Sequence, residues 1–387
     1  MPDNHDEVLV PILQTVRRVC ANFPNEYWRE KDSERQYPVE FVQALGDAGL
    51  LACLIPEQYG GSGLPLLIAS EILKAIHEHG CNAAACHAQM YTMGTLLRHG
   101  SETQKSTYLP AIASGKLRLQ AFAVTEPSAG TDTTRITTSA VREGDRYIIN
   151  GQKVWISRAE HSDLMILLAR TTPRDEVEKR SDGLSVFIID MNAALEQGMT
   201  IKPVATMINH ATTEIFFDNV PIPADSLIGE QGRGFKYILT GMNAERILIA
   251  SECIGDAHWF TKTASQYATN RRVFGRPIGQ NQGVQFPIAR AYAQAEAADL
   301  MVKQAASLYD AGEHCGAQAN MAKMLASEAS WAAGEACMQS HGGFGLAQEY
   351  DVERKWRETR LYQIAPISTN LILAYLGEHV LGMPRSY

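Results

Sequence analysis

The stretch AFAVTEPSAGTDT, residues 121–133, and the segment YIINGQKVWIS, residues 147–157, decide the fold of this chain. Apolar residues alternate at Phe122 and Val124 before the turn-rich run 126–130. In the second segment Asn150-Gly151 separates two apolar runs, and this dipeptide is the strongest short-range signal for a β-hairpin. We therefore expect a β-layer, with a hairpin that turns at Asn150-Gly151, beside a loop of glycine, serine and threonine.

The loop has the composition of a ligand-binding segment. Its free N–H and O–H groups can bind a phosphate or the edge of a flat heterocycle. Trp155, close to it in sequence, can cover the face of an aromatic ring. An ordinary hairpin in a β-domain explains the same residues equally well, so the residues alone leave both interpretations open.

Helical patterns flank this stretch on both sides. Apolar spacing and helix start signals predict helices over 8–19, 37–46, 66–79, 81–98, 102–113, 235–269, 284–309, 317–339 and 368–381. Between 120 and 228 the spacing shortens toward two, and strands are predicted over 161–170, 183–190 and 213–217. This order predicts an α+β fold of three domains: an N-terminal helical domain (1–119), a middle antiparallel β-domain (120–228) and a C-terminal four-helix bundle (229–387).

Bulk composition excludes several classes of protein. A chain of 387 residues exceeds the usual size of a single core. The net charge of −8 argues against a nucleic-acid or anionic-membrane surface. The seven scattered cysteines are typical of reduced, buried thiols. No apolar run is long enough to span a bilayer. The polar first residues resemble no targeting segment. We therefore expect a cytoplasmic protein.

Two motif searches give negative expectations. The group His77, His79, Cys81, Cys86 and His87 fits no zinc spacing, so helix packing is the better interpretation and no metal is predicted. Runs that begin at Gly232 and Gly343 start like a GxGxxG motif but lack its last glycine, so a dinucleotide-binding fold is not supported.

Colinear blocks along nearly the whole chain resemble the acyl-CoA dehydrogenase family. Residues 121–157 resemble its flavin-binding signature, LIPEQYGGSG (54–63) resembles a loop of its N-terminal domain, and 214–223 resembles its last β-strand. The resemblance implies an FAD enzyme of fatty acid metabolism, with an acyl-CoA substrate and an electron-transfer flavoprotein as electron acceptor. It also implies a homotetramer, a dimer of dimers, in which FAD bridges subunits.

The resemblance also implies the cofactor residues. At the flavin rings they are Phe122, Val124, Thr125 and Thr131 near the pyrimidine and N5 edge, with Trp155 and Ser157 beside the rings. For the rest of FAD they are Arg271 on the pyrophosphate, with Phe274 and Gln282 nearby, and Gln339 and Gly343 at the ADP half of a neighbouring subunit's flavin. Ser368 and Asn370 match polar flavin-contacting positions in a C-terminal loop. Thr131 also matches a position that touches substrate. The candidates to line the wall of the acyl-chain site are His87, Gln89, Met90 and Met93, although simple packing is the better explanation for each one individually.

The implied reaction requires a base that removes the α-proton of an acyl thioester while a hydride leaves the β-carbon. Many family members carry this base as a glutamate in a C-terminal loop, where this chain has Pro366. A smaller set, typified by isovaleryl-CoA and long-chain dehydrogenases, carries it on a helix just before a substrate-contacting arginine; Glu245 and Arg246 match those positions.

The position of Glu245 on its helix independently supports it as the base. It shares a face with Met242, Leu248 and Ile249, and desolvation on an apolar face raises the pKa of a carboxyl group. The alternative is a structural ion pair with an arginine on another helix. Arg246, being adjacent, is not expected to be the partner.

Pro366 raises a second question, because the resemblance gives the backbone N–H at this position a bond to the thioester carbonyl, and proline has no N–H. Either Ile367 or another group donates, the substrate is placed differently, or ordinary dehydrogenase activity is lost. The alternatives are a flavoenzyme of the same fold with other chemistry (an oxidase, an enoyl-CoA reductase or a desulfinase-like enzyme) and a flavin-binding protein without turnover.

Overall fold

The computed structural model describes residues 4–385, which form two compact units. Unit 1 comprises the described residues up to Gln36, Pro65–Ala83 and the described residues from Asn243 onward. Unit 2 comprises Tyr37–Leu64 and Ala84–Met242. The three predicted domain ranges remain a prediction.

The helices occur where the apolar spacing places them, with three additions. They are α1 Asn4–Ala21, α2 Asn25–Ser33, α3 Val39–Asp47, α4 Leu66–Glu78, α5 Ala84–His99, α6 Glu102–Ala113, α7 Met191–Glu196, α8 Gly234–Asn270, α9 Gln282–Asp310, α10 Gly316–His341, α11 Val352–Leu361 and α12 Thr369–Tyr375. The spacing does not predict α2, α7 and α11. The reason is clear for α11, whose buried side chains include Arg354, Lys355 and Glu358, so that its inward face is charged rather than apolar.

Unit 2 is built on one sheet. Its strands are β1 Leu119–Ala123, β2 Ser139–Glu143, β3 Arg146–Ser157, β4 Leu164–Arg170, β5 Leu184–Asp190, β6 Met199–Pro203, β7 Thr212–Pro223 and β8 Leu227–Ile228. The order across the sheet is β6-β7-β3-β2-β4-β5-β8, with β1 also paired to β4. Strand β4 is buried along its whole length, as the unbroken apolar run predicts.

The two faces of β4 enter two different cores. Met165 and Leu167 pack with Tyr147 and Phe187 on one side of the sheet. On the other side Ile166 lies in a cluster with residues of α5 and α6, including Met93, Leu96, Leu109 and Ile112. This alternation holds α5 and α6 against the sheet.

The sheet is mostly antiparallel, as predicted, and departs from this pattern mainly where β1 joins it. Strands β1 and β4 pair in parallel. The chain makes the β2–β3 hairpin between them and then re-enters the sheet in the direction of β1. The other strand pairs are antiparallel, apart from a single parallel residue pair between β2 and β4.

The hairpin predicted at Asn150-Gly151 is wrong. Strand β3 continues through this dipeptide, with a register irregularity between Ile149 and Gly151, because it pairs along most of its length with β7. Asn150 bonds across to Asn219 on β7, and a Cβ at Gly151 would lie 2.6–2.8 Å from Thr138, so the glycine permits a close approach. The turn occurs at Gly144-Asp145, where β2 and β3 meet in a two-residue loop.

Unit 1 contains a helical core. Ala257, Phe260 and Ala264 of α8, Ile288 and Ala291 of α9, and Ala329 and Ala333 of α10 share one buried cluster. Two further strands, β9 Arg272–Val273 and β10 Arg276–Pro277, form a small hairpin between α8 and α9. Small alanines let these helices approach closely, as in a bundle.

Candidate flavin and substrate sites

In unit 2, the loop after β1 is fixed to strand β3. Lys153 Nζ donates to the Val124 carbonyl at 2.9 Å, and the Val154 N–H donates to the Thr125 carbonyl at 3.0 Å. These bonds bring the predicted flavin residues Val124 and Thr125 beside Trp155 and Ser157, which follow on the same strand.

A buried ion pair provides the anchor of this arrangement. Lys153 Nζ lies 2.9 Å from Glu126 Oε1, and the Glu126 carboxylate also accepts bonds from the N–H groups of Thr137 and Thr138 at 2.7 and 2.9 Å. Burial opposes the charge of Glu126, but the Lys153 ammonium and these donors lower its pKa to about 2. Burial lowers the pKa of Lys153 to about 8, although Glu126 opposes this shift.

The anchor was not expected from sequence. In the sequence, Glu126 belongs to the turn-rich run 126–130 and Lys153 to a strand of the expected hairpin. The available signal is chemical: a lysine inside an otherwise apolar strand segment must find an acceptor when that strand is buried.

Trp155 is placed as a ring-covering residue would be. Its side chain is 59% exposed, and its backbone has the unusual positive φ of 62°. Phe122, Val124, Thr125 and Ser157 are half-buried, and Thr131 is exposed. An exposed indole beside half-buried hydroxyl groups fits a flat heterocycle with polar edges.

In unit 1, the predicted pyrophosphate and ADP residues lie in exposed segments. Phe274, in the β9–β10 turn, is fully exposed at a positive φ of 50°, and Arg271 places its guanidinium 5.5 Å from the ring of Phe344. That contact brings Arg271 close to the loop of Gly343. Gln282 begins α9, Gln339 lies in the last turn of α10, and both are exposed.

These residues fit the chemistry of a dinucleotide cofactor. Arg271 offers a guanidinium fork for a diphosphate, and Phe274 offers apolar surface that the described part of its own chain leaves uncovered. Ser368 caps α12, where its hydroxyl accepts the Leu371 N–H at 3.4 Å, and Asn370 is exposed.

Glu245 and Arg246 lie on α8 in unit 1, and both are nearly buried, at 8% and 9% exposure. Leu248 and Ile249 beside Glu245 are buried too. Arg246 donates to Asn243 Oδ1 at 2.9 Å, while its Nε lacks a partner among residues 4–385. A buried, incompletely bonded guanidinium fits an anionic or carbonyl-bearing ligand.

Glu245 and Arg246 influence each other electrostatically. Burial lowers the pKa of Arg246, and the negative charge of Glu245 is the largest opposing influence. The adjacent side chains are therefore electrostatically coupled, because both are held in a region from which water is largely excluded.

The acyl-wall candidates lie on α5 in unit 2. Met93 belongs to the core cluster under the sheet, which favours the packing interpretation for this residue. Gln89 donates to the Leu51 carbonyl at 3.4 Å, while its buried Oε1 lacks a partner within the described residues. His87 and Met90 are also buried.

The next features are the candidate metal ligands, the cysteines and the length and apolarity of the helices. Between residues 4 and 385, no three or more His, Cys, Asp or Glu side chains are grouped to hold a metal ion. The His77 ring instead forms a hydrogen bond between its Nδ1 and Asp256 Oδ1 at 2.8 Å, and its Nε2 accepts the Ala83 N–H at 3.0 Å. All seven cysteines are buried, and none of them forms a disulfide. In the same range, none of the helices combines the length and apolarity of a membrane span.

Three family models match the chain in sequence order. The N-terminal domain of acyl-CoA dehydrogenase matches residues 8–116, the middle domain matches 121–220 and the C-terminal domain matches 232–380. The chain belongs to the acyl-CoA dehydrogenase family. The predictions of fold class, of an oxidoreductase of this family and of FAD as cofactor are thereby confirmed.

Similar proteins agree with this assignment. Acyl-CoA dehydrogenase FadE12 of Mycobacterium tuberculosis is 34% identical over 381 residues, covering 97% of this chain and 96% of that protein. A 3-(aryl)acrylate reductase of Clostridium sporogenes is 33% identical over 362 residues, covering 91% and 93%. The structure of a glutaryl-coenzyme A dehydrogenase with glutaryl-CoA has a TM-score of 0.91 at 30% identity, covering 100% of this chain and 98% of that one.

Proposed function

We propose that this acyl-CoA dehydrogenase family member converts an acyl-CoA thioester to the trans-2-enoyl-CoA, with Glu245 as the base. The observation that carries the proposal is the burial of Glu245 on α8, next to an incompletely bonded Arg246, in a chain that has proline at the loop position of the usual base. A desolvated carboxylate is a stronger base than an exposed one, and a poorly acidic α-proton requires that.

In this proposal each site residue has a defined role in the reaction or in binding. Glu245 takes the α-proton, and Arg246 and Thr131 bind the substrate. Phe122, Val124, Thr125, Trp155 and Ser157 hold the flavin rings, and Arg271, Phe274, Gln282, Gln339, Gly343, Ser368 and Asn370 hold the remainder of FAD. When bound, FAD accepts the hydride that leaves the β-carbon. The buried Glu126–Lys153 pair keeps the ring-binding loop in place before substrate arrives.

The assembly and the electron acceptor are part of the same proposal. We infer a homotetramer in which neighbouring subunits complete the FAD sites, with an electron-transfer flavoprotein as acceptor, in the cytoplasm and in fatty acid metabolism. Uncovered apolar side chains support an assembly: Phe286, Tyr292 and Leu300 on α9 are 56%, 51% and 69% exposed.

A second candidate is the reverse chemistry, reduction of an enoyl thioester. Two observations favour it: Pro366 has no N–H for the thioester carbonyl, and a relative covering 91% of the chain is a 3-(aryl)acrylate reductase. Pro366 equally allows an oxidase, a desulfinase-like reaction or a flavin-binding protein without turnover.

An anaerobic screen separates these functions. The FAD-loaded protein is mixed with a panel of saturated straight-chain, branched, aryl and dicarboxylic acyl-CoAs, and flavin absorbance is followed. A dehydrogenase bleaches with at least one saturated thioester. Bleaching by none of them, with reoxidation of pre-reduced flavin by an enoyl-CoA, would favour the reductase, whereas rapid oxygen consumption during turnover would favour an oxidase.

A further inference from the structure

Lys323 is a buried lysine that the function described so far does not use. It lies on α10 with 0% exposure, and its ammonium donates to the Ile367 carbonyl at 2.8 Å. Among residues 4–385 it forms no ion pair with a carboxylate. A buried ammonium without a counter-ion is costly, and an apolar side chain of similar length is often neutral or stabilising at such a position. Stability alone therefore does not explain this lysine.

Lys323 and the candidate base Glu245 both interact electrostatically with Arg246. Arg246 and Cys253 of α8 and Glu328 of α10 are the charged and titratable groups that act on it. Burial lowers the pKa of Lys323 to about 8; Cys253 and Glu328 oppose the shift, and Arg246 adds to it. Arg246 thus acts electrostatically on both Glu245 and Lys323, and Lys323 in turn is hydrogen-bonded to Ile367.

Ile367 directly follows Pro366 in the turn before α12. Its carbonyl is held by Lys323, whereas its N–H donates to no acceptor within the described range. Pro366 has no N–H, so the Ile367 N–H is the first main-chain donor that this turn can present to a ligand. A donor to the thioester carbonyl is required because negative charge builds up there as the α-proton leaves.

We propose that Lys323 is a positioning residue: by holding the Ile367 carbonyl it fixes the turn so that the Ile367 N–H donates to the thioester carbonyl of the substrate. This inference rests on the proposed function, because it assigns the carbonyl donor of the same site. Lys323 itself touches neither substrate nor flavin in this account.

The first test uses Lys323→Met, with Lys303→Met as matched control. Lys303 lies on α9, its side chain is 47% exposed and it pairs with Asp299 at 2.7 Å. Hydrogen exchange of the peptide covering 364–371 is measured without substrate, together with FAD content and melting temperature. We expect faster exchange of this peptide only in Lys323→Met, with FAD content retained and a melting temperature equal to or above that of the wild type.

The second test is the limiting rate of anaerobic flavin reduction by the best acyl-CoA of the screen. Loss of one carbonyl donor costs about 10²–10³ in rate, and we expect a fall of about tenfold or more in Lys323→Met, with little change in thioester affinity. In Lys323→Ala, a small alkylamine such as methylamine should restore part of the rate, because it refills the ammonium position.

The pH dependence of the flavin-reduction rate tests whether Lys323 is the group involved. Above a pH of about 8 Lys323 loses its charge, so the wild-type rate should fall there and Lys323→Met should lack that limb. A limb that persists unchanged in Lys323→Met would contradict this role of Lys323 and would point to another group, such as Lys153, whose pKa also lies at about 8.

The outcomes are distinguishable. Wild-type exchange of the 364–371 peptide together with a wild-type rate in Lys323→Met would overturn the inference. If no acyl-CoA reduces the wild-type flavin, the proposed function fails, but the exchange measurement still decides whether Lys323 holds the turn.

Discussion

Lys153 Nζ and Glu126 Oε1 lie 2.9 Å apart, with side-chain exposures of 0% and 2%, and this contact joins strand β3 to the loop that follows β1. The same ammonium holds the Val124 carbonyl, and the same carboxylate holds the N–H groups of Thr137 and Thr138. The loop that carries the predicted ring-binding residues is thus fixed at both of its ends.

Replacing Lys153 with methionine should destabilise unit 2 strongly. The change leaves the Glu126 carboxylate buried without its cation, and breaking one partner of a buried pair costs about 3–5 kcal/mol. Urea denaturation checks this, with Arg146→Met as control. Arg146 pairs with Glu143 at 3.5 Å on the surface, where both side chains are more than half exposed, so its loss should cost less than about 1 kcal/mol. Equal effects of the two substitutions would contradict the structural role of the pair.

Acid should remove the contribution of Glu126 within a defined range. Because its pKa is lowered from 4.5 to about 2 in the folded protein, ionised Glu126 contributes stability above pH 4.5, and this contribution is lost as pH falls toward 2. The stability difference between the wild type and Glu126→Gln should therefore be largest above pH 4.5 and shrink below it. A pH-independent difference would show that the charge of Glu126 is not what stabilises the loop.

Arg271 and Arg272 provide a matched pair for testing FAD binding. Both are exposed neighbours in one segment, but only Arg271 is predicted to bind the pyrophosphate. Since bonds between charged groups are among the strongest hydrogen bonds, Arg271→Met should weaken FAD binding about tenfold or more, while Arg272→Met should change it little. Titration of apoprotein by flavin fluorescence measures both, and the reverse order would exclude Arg271 as the diphosphate ligand.

Much of the fold could be predicted from the sequence because periodicity reports burial directly. The apolar run of β4 and the helices α4, α6, α8, α9 and α10 follow from it within a few residues. Turn-forming residues predict the position of the β-turn less reliably. Asn150-Gly151 carries a hairpin signal, yet pairing along most of β3 with β7 outweighs it, and the actual turn uses Gly144-Asp145.

The candidate site was only partly predictable, since its supporting contacts join residues far apart in the chain. Glu245 is identifiable from its position on one helix. The bonds of Lys153 to Glu126 and of Lys323 to Ile367 span 27 and 44 residues, and no local pattern shows which acceptor a buried lysine will find. Helix α11 was missed for a related reason, because Lys355 on its inward face pairs with Asp256 of α8.

The central claim is that Glu245 removes the α-proton, and the most direct measurement is the limiting rate of anaerobic flavin reduction in Glu245→Gln. Glu252→Gln is the matched control, since Glu252 is a second buried glutamate two turns further along α8. We predict that Glu245→Gln keeps its FAD and loses bleaching by at least about 10²-fold, in the range typical of a general base, while Glu252→Gln bleaches at nearly the wild-type rate. Wild-type bleaching in Glu245→Gln, or its loss in Glu252→Gln alone, would contradict the assignment of the base.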